Sequence, residues 1–205
     1  MQLLIFPYNG NAFEALDCLS DEFEFLGFVD DSVEKQGTDR WGHRVFSRRA
    51  LQDFDHARVL AVPGSPHSYL SRIEIIEGLA MDVSRFATVV HPAARISKLA
   101  RIGMNVLIMA GVTITSNAVI GSHVCVLPNT VIHHDVFIGD WSLIGSNVTV
   151  AGSVRVGRNC YIGSGSSIIH NVDLGDRAMV GLGSNVLRNV ASNLRVAGNP
   201  ARPLR

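Results

Sequence analysis

From residue 96 to residue 186 an aliphatic side chain recurs at every sixth position. The series is Ile96, Ile102, Ile108, Ile114, Ile120, Val126, Ile132, Ile138, Ile144, Val150, Val156, Ile162, Ile168, Leu174, Val180 and Val186, and every member but Leu174 is β-branched. A period of six fits neither the 3.6 of an α-helix nor the strict alternation of a hairpin. It is the period of a parallel β-helix, where each hexapeptide supplies one short strand and one corner, and roughly eighteen residues close a coil. The aliphatic residues then point inward. Small or β-branched residues two positions earlier, such as Ala94, Ala100, Val106 and Cys160, share the interior. Gly follows the aliphatic residue at 103, 121, 139, 145, 157, 163, 175 and 181, where it is expected to relax unusual corner dihedrals. About five coils result, each covering the one below.

The chain before the repeat has a different chemistry. The whole sequence has 205 residues, with eighteen basic and eighteen acidic side chains. Residues 1–88 carry a net charge of −6 and residues 89–205 a net of +6. All six Glu and eleven of the fourteen aromatic residues also fall in the first part. Two domains are expected, with the border at 88/89. The first alternates strand and helix signals: strands at 2–6, 23–29 and 59–62, helices at 12–19 (Asn11 as N-cap), 47–54 and 68–79. That alternation implies a small Rossmann-like α/β domain with a parallel sheet. The overall charge balance argues against bulk nucleic-acid binding. No apolar run approaches the ~18 residues of a membrane span, and the start MQLLIFPYNGN lacks a signal peptide's basic region and cleavage site. Three widely spaced cysteines suit a reducing cytoplasm better than a disulfide framework. Cys160 takes an inward position, Cys125 an outward one, and Cys18 a place on a helix.

The repeats, the segment Val131-Ile-His-His-Asp-Val-Phe-Ile-Gly-Asp140 and the ending Val196-Ala-Gly-Asn-Pro-Ala-Arg202 together resemble one family. It is the hexapeptide sugar acyltransferases, in the branch of sialic-acid O-acetyltransferases and bacillosamine-type nucleotide amino sugar N-acetyltransferases. The resemblance implies a left-handed β-helix, a homotrimer, acetyl-CoA between neighbouring β-helices, and a nucleotide-sugar site on the N-terminal domain. It implies that His134 is the general base, in the His134-Asp135 pair ahead of Ile138-Gly-Asp140. A neutral imidazole can take the proton an attacking amine or hydroxyl must lose, and an adjacent carboxylate can orient the ring. His133 is a modulator at most.

For the donor the resemblance implies Gly152 beside the thioester and Leu143 where relatives often carry a second His. It adds Gly163, Ser164, Gly181 and Gly183 along the groove. Arg188, Pro200 and Arg202, with Arg195 and Arg205, lie toward the adenosine phosphates. For the acceptor it implies Gly10, Asp30, Asp31, Gly64 and Ser65. In the first strand-to-helix turn, Pro7 and Tyr8 replace flexible positions and are expected to hinder close approach of phosphates. The acidic first domain is a poor general field for a second anion. Residues eighteen apart stack, so Ser116 lies below His134, with Gly152 and then His170 above it, leaving a slot beside the ring.

Other readings stay open. The acceptor group is an amine or a hydroxyl. A scaffold trimer without catalysis predicts no saturable acetyl-CoA binding. A γ-class carbonic anhydrase shares this helix but needs three His ligands, and the third would fall at Gly175. No metal is expected.

Overall fold

The computed structural model describes residues 1–204. The hexapeptide lattice folds as a left-handed parallel β-helix of triangular section, with three sheets of two-residue strands. The first face runs from Arg95–Ile96 through Val131–Ile132 to Asn185–Val186, and the second from Arg101–Ile102 through Phe137–Ile138 to Asp173–Leu174. The third begins at Val89–Val90 and continues through Leu107–Ile108, Cys125–Val126, Leu143–Ile144 and Tyr161–Ile162. Each strand pairs in parallel with the one eighteen positions on, as Ile114 with Ile132 and Ile138 with Val156. The register holds to Val186. There the chain drops two residues, so that Leu174 bridges Val190 and Met179 pairs with Arg195. An antiparallel return, Ala201–Pro203, closes the third face.

The inward column is dry and continuous. Ile108, Ile120, Ile132, Ile144, Val156, Ile162 and Val180 are all at most 1 % exposed, each side chain contributing about 1.5–3 kcal/mol of apolar burial. Cys160 belongs to it as expected.

The glycine expectation needs correction. The left-handed corner residues are not those glycines but the positions two further on, Asn105, Asn117, His123, Asn129, Asp135, Trp141 and onward, with φ between 53° and 61° in these examples. Asn and Asp tolerate that conformation by local hydrogen bonding. Glycine after the aliphatic residue answers a different demand. A Cβ on Gly145 would lie 2.5 Å from the Ser164 amide nitrogen, and one on Gly163 2.6 Å from that of Leu182. Coils approach too closely there for any side chain.

The N-terminal domain is a five-stranded sheet of β1 (Gln2–Phe6), β2 (Glu24–Val29), β3 (Gly37–Thr38), β4 (Arg44–Phe46) and β5 (Arg58–Ala61), in the order β3-β4-β2-β1-β5. It is parallel except for the β3/β4 hairpin, which sequence patterning did not suggest. Helix α1 is Gly10–Leu16 with Asn9 as its N-cap, not Asn11, because the Asn9 side chain accepts the Ala12 N–H at 2.9 Å. Helix α2 shortens to Ala50–Asp53, and α3 is Arg72–Glu77 after a 3-10 turn at Tyr69–Ser71. Cys18 lies just beyond α1 and is buried.

The domain sits on the third face. Leu3, Ile5, Phe28 and Leu60 share one apolar cluster with Leu107, Cys125, Leu143 and Tyr161 of the coils. Cys125 does point out of the β-helix, but into this cluster, with no exposure. Polar ties reinforce the contact. Asn105 accepts from the Ala61 N–H at 2.7 Å and donates to its carbonyl at 2.9 Å, continuing the edge of β5. Arg72, 1 % exposed, donates to the carbonyls of Trp141 (2.8 Å), His123 (2.5 Å) and Pro63. Burial lowers its pKa to about 10, which leaves it charged at neutral pH.

Candidate active site

Two places in the chain carry chemistry, and they lie apart. The first is the corner between the first and second faces, where Ile132 ends one strand and Phe137 begins the next. His134 and Asp135 occupy it, both solvent-exposed. The left-handed backbone of Asp135 (φ 60°) turns its carboxylate back on the ring, and His134 Nδ1 meets Asp135 Oδ2 at 2.8 Å. A carboxylate can only accept, so Nδ1 carries a proton, and in the neutral ring the lone pair is then on Nε2. Hydrogen bonds, from His134 first and Asn117 second, hold the Asp135 carboxyl below its ordinary value. Asn117, one coil down, donates to Asp135 Oδ1 at 3.1 Å. It was missed in the sequence, although the eighteen-residue step from Asp135 leads to it.

Stacking along this corner is as the lattice implied. The Asp135 N–H donates to the Ser116 carbonyl and the Ser153 N–H to that of His134. Gly152 lies directly over the ring: a Cβ there would stand 2.6 Å from His134 Cε1 and 2.7 Å from Nε2. Only glycine leaves the Nε2 side open. His170 is two coils above His134 and exposed, and His133, next to His134 in the chain, is half-buried. Among the described residues no group of three or more His, Cys, Asp or Glu could hold a metal ion.

The second place is a cleft of about 550 Å³ at the carboxyl ends of β1, β2 and β5. Gly10, Asp30, Asp31, Gly64 and Ser65 all line it, together with Asn9, Asn11 and Lys35. Crevices at this end of a parallel sheet are where such folds bind ligands. Two expectations change here. Tyr8 does not block the mouth, because its ring turns inward against Phe13 and Phe28 at 5.1 and 5.2 Å. Asp30 is not free to hold a ligand. It is 3 % exposed, and its carboxylate already accepts from the Tyr8 N–H (3.0 Å), the Ser32 N–H (2.9 Å) and Lys35 Nζ (3.1 Å). Asp31 is exposed but forked onto Arg48 at 2.8 and 2.5 Å. The acidity of this half is thus neutralised at the cleft.

The expected donor residues distribute over several corners. Gly163, Ser164, Gly181 and Gly183 lie at the corner between the third and first faces, and the Ser164 hydroxyl accepts the Ser146 N–H at 3.0 Å. Arg188 and Arg202 line a smaller cleft of about 220 Å³ at the last coil. Pro200 and Arg195 are exposed nearby, and Arg205 lies outside the described residues. Leu143 is a correction. It is 5 % exposed, and a Cβ on Gly64 would meet its Cδ1 at 2.9 Å. On the third face its side chain fills the domain interface and cannot replace the second His.

Cysteine nucleophiles are excluded on the same grounds of burial, which pushes the Cys125 and Cys160 thiols up to about 12 and Cys18 to about 11.

Residues 99–134 and 117–152 match the bacterial transferase hexapeptide (six repeats), and residues 135–170 and 153–188 match the hexapeptide repeat of succinyl-transferase. No curated protein matches the chain in sequence. Among solved structures, the chain resembles PerB from Caulobacter crescentus, in complex with CoA and GDP-perosamine. The identity is 23 % and the TM-score 0.86, over 100 % of this chain and 97 % of that one. It also resembles the acetyltransferase domain of PglB from Neisseria gonorrhoeae, bound to acetyl coenzyme A (21 %, TM-score 0.85, 99 % and 98 % covered). WeeI from Acinetobacter baumannii is 25 % identical with a TM-score of 0.83, both chains covered in full. The likeness spans both domains, and no helix among the described residues is long and apolar enough to cross a membrane.

Proposed function

We propose that this chain, built on the bacterial transferase hexapeptide repeat, moves an acetyl group from acetyl-CoA to the amine of a nucleotide-linked amino sugar. The observation that carries the reading is the His134–Asp135 pair beneath Gly152, with Nε2 unhindered. The amine attacks the thioester carbon while Nε2 takes its proton. The bond to sulfur then breaks, and the imidazolium returns the proton to the departing CoA thiolate, so charge balances. Asp135 holds the tautomer and offsets the imidazolium charge, and Asn117 holds Asp135.

The acceptor set is Gly10, Gly64, Ser65 and the cleft around them, with Asp30 and Asp31 as its braced wall. For the donor we retain Gly152, Gly163, Ser164, Gly181, Gly183, Arg188, Pro200 and Arg202.

The placement of these parts supports a homotrimer. The N-terminal domain covers the third face, whereas His134 stands on the corner opposite that face. No residue of that corner lines the acceptor cleft. One chain alone therefore cannot bring an acceptor in its cleft to its own His134, and a neighbouring copy completes the site. The same holds for donor residues on two different corners. An acetyl-CoA-dependent role and three free cysteines suit the cytoplasm.

The test is thiol release from acetyl-CoA against a panel of nucleotide amino sugars and their hydroxyl counterparts. Turnover with an amino sugar, absent with the hydroxyl analogue, supports the reading. Turnover only with hydroxyls transfers the assignment to O-acetylation. Absence of saturable acetyl-CoA binding would leave a scaffold.

A further inference from the structure

We propose that Lys35 binds the diphosphate of the acceptor nucleotide, supplying the positive charge that the sequence of the β1–α1 turn does not. This rests on the reading of the cleft as a nucleotide-sugar site and names the group in it that meets the anion. Three observations carry it. Lys35 is the one cationic side chain among the described residues lining the cleft. Its Nζ lies against the turn itself, 3.3 Å from the Tyr8 carbonyl and 3.1 Å from Asp30 Oδ2. The Lys35 side chain is 41 % exposed while the side chain of Asp30 is only 5 % exposed, so the carboxylate is sealed behind the ammonium and the ammonium faces the cleft. An ammonium has three donors, two of which these oxygens take, leaving one for a ligand oxygen.

The turn gives room for such a ligand. A Cβ on Gly10 would meet nothing within 4 Å. Asp30 orients the lysine and fastens the Tyr8 and Ser32 amides. Its negative charge is offset there, and that of Asp31 by Arg48. The doubly charged diphosphate entering the cleft thus meets charges that sum to zero, with the ammonium end of the Lys35–Asp30 pair turned toward it and the carboxylate end behind.

The test is calorimetric titration of the full chain with GDP, UDP and dTDP, each beside its nucleoside. Lys35→Met should weaken diphosphate binding by about tenfold or more, the usual worth of a charge-assisted hydrogen bond, and leave nucleoside binding unchanged. Lys35→Arg should keep most of the affinity. Lys35→Met also strands the Asp30 carboxylate, so the double variant Asp30→Asn/Lys35→Met separates the two roles. If the double variant stays as weak as the single one, the ammonium itself meets the phosphate. Recovery of diphosphate affinity in the double variant would overturn the proposal, as would undiminished binding by Lys35→Met. Failure of the wild type to bind any diphosphate is a different result, which overturns the nucleotide reading and this inference together.

Discussion

His123 and His134 occupy adjacent corners of one β-helix, built from the same repeat, and they have opposite fates. His123 lies under the N-terminal domain, stacked on Trp141 at 5.3 Å and edge-on to Phe86 at 5.0 Å, with Nδ1 3.0 Å from Asn105 Nδ2. Burial first, and the Arg72 charge second, lower its pKa to about 4. It is a neutral ring used for packing. His134 stands in solvent with a carboxylate on one nitrogen and a glycine-lined space beside the other. The difference is set by which side of the triangular prism the second domain covers, not by the residue type or the repeat.

That contrast can be broken from either side. The largest effect is expected at the covered corner. Arg72→Met should cost roughly 3 kcal/mol or more, because three buried carbonyls lose a charged donor, and a thermal or urea melt reads it. A loss under about 1 kcal/mol would mean that the domain contact is held by its apolar cluster alone. At the open corner, His134→Ala should lower turnover at least about a hundredfold with the melting temperature kept. Activity within a few-fold of wild type would remove His134 as the base. Gly152→Ala should lower turnover about tenfold, consistent with the sensitivity of catalysis to small misplacements, since the added methyl enters the Nε2 side. An unchanged rate would show that the ring can swing clear.

A further effect at the covered corner is a pH dependence. The unfolded His123 takes a proton near about pH 6.5, whereas the folded one resists until about 4. Its contribution is therefore whole above the unfolded value and lost as pH falls toward the folded one, by at most about 1.4 kcal/mol per unit. His123→Asn suits the left-handed corner, as Asn does at 105, 117 and 129, and should flatten the fall between denaturation curves at neutral pH and at about pH 5. An equal slope in the variant would place the titration elsewhere.

The β-helix was legible because its signal repeats: one slipped residue would turn the aliphatic column outward, so every coil constrains the next. His134 and Gly152 were legible for the same reason, being eighteen residues apart on that lattice. Non-repeating interactions left no such trace. Cys125 read as an outward residue and Leu143 as a donor contact, and only the docked domain makes both interior. Asp30 and Asp31 form an adjacent acidic pair in the sequence, yet one is sealed by Lys35 and the other by Arg48, seventeen positions away. The β3/β4 hairpin is too short, at two and three residues, to show any periodicity. The Asn9 cap differs from the expected Asn11 because both residues are polar and only the loop's path selects between them.

The constant step between coils also makes the β-helix a ruler. The rungs at Val131–Ile132 and Asn185–Val186 are three steps apart on the first face. With about 4.8 Å between neighbouring strands, His134 and the turn bearing Arg188 are separated by roughly 14 Å along the axis. A whole coil added or removed between them would leave both side chains on their corner and change only this span. If the proposed roles hold, the length of donor that spans from the basic end to His134 is thereby written in the number of coils.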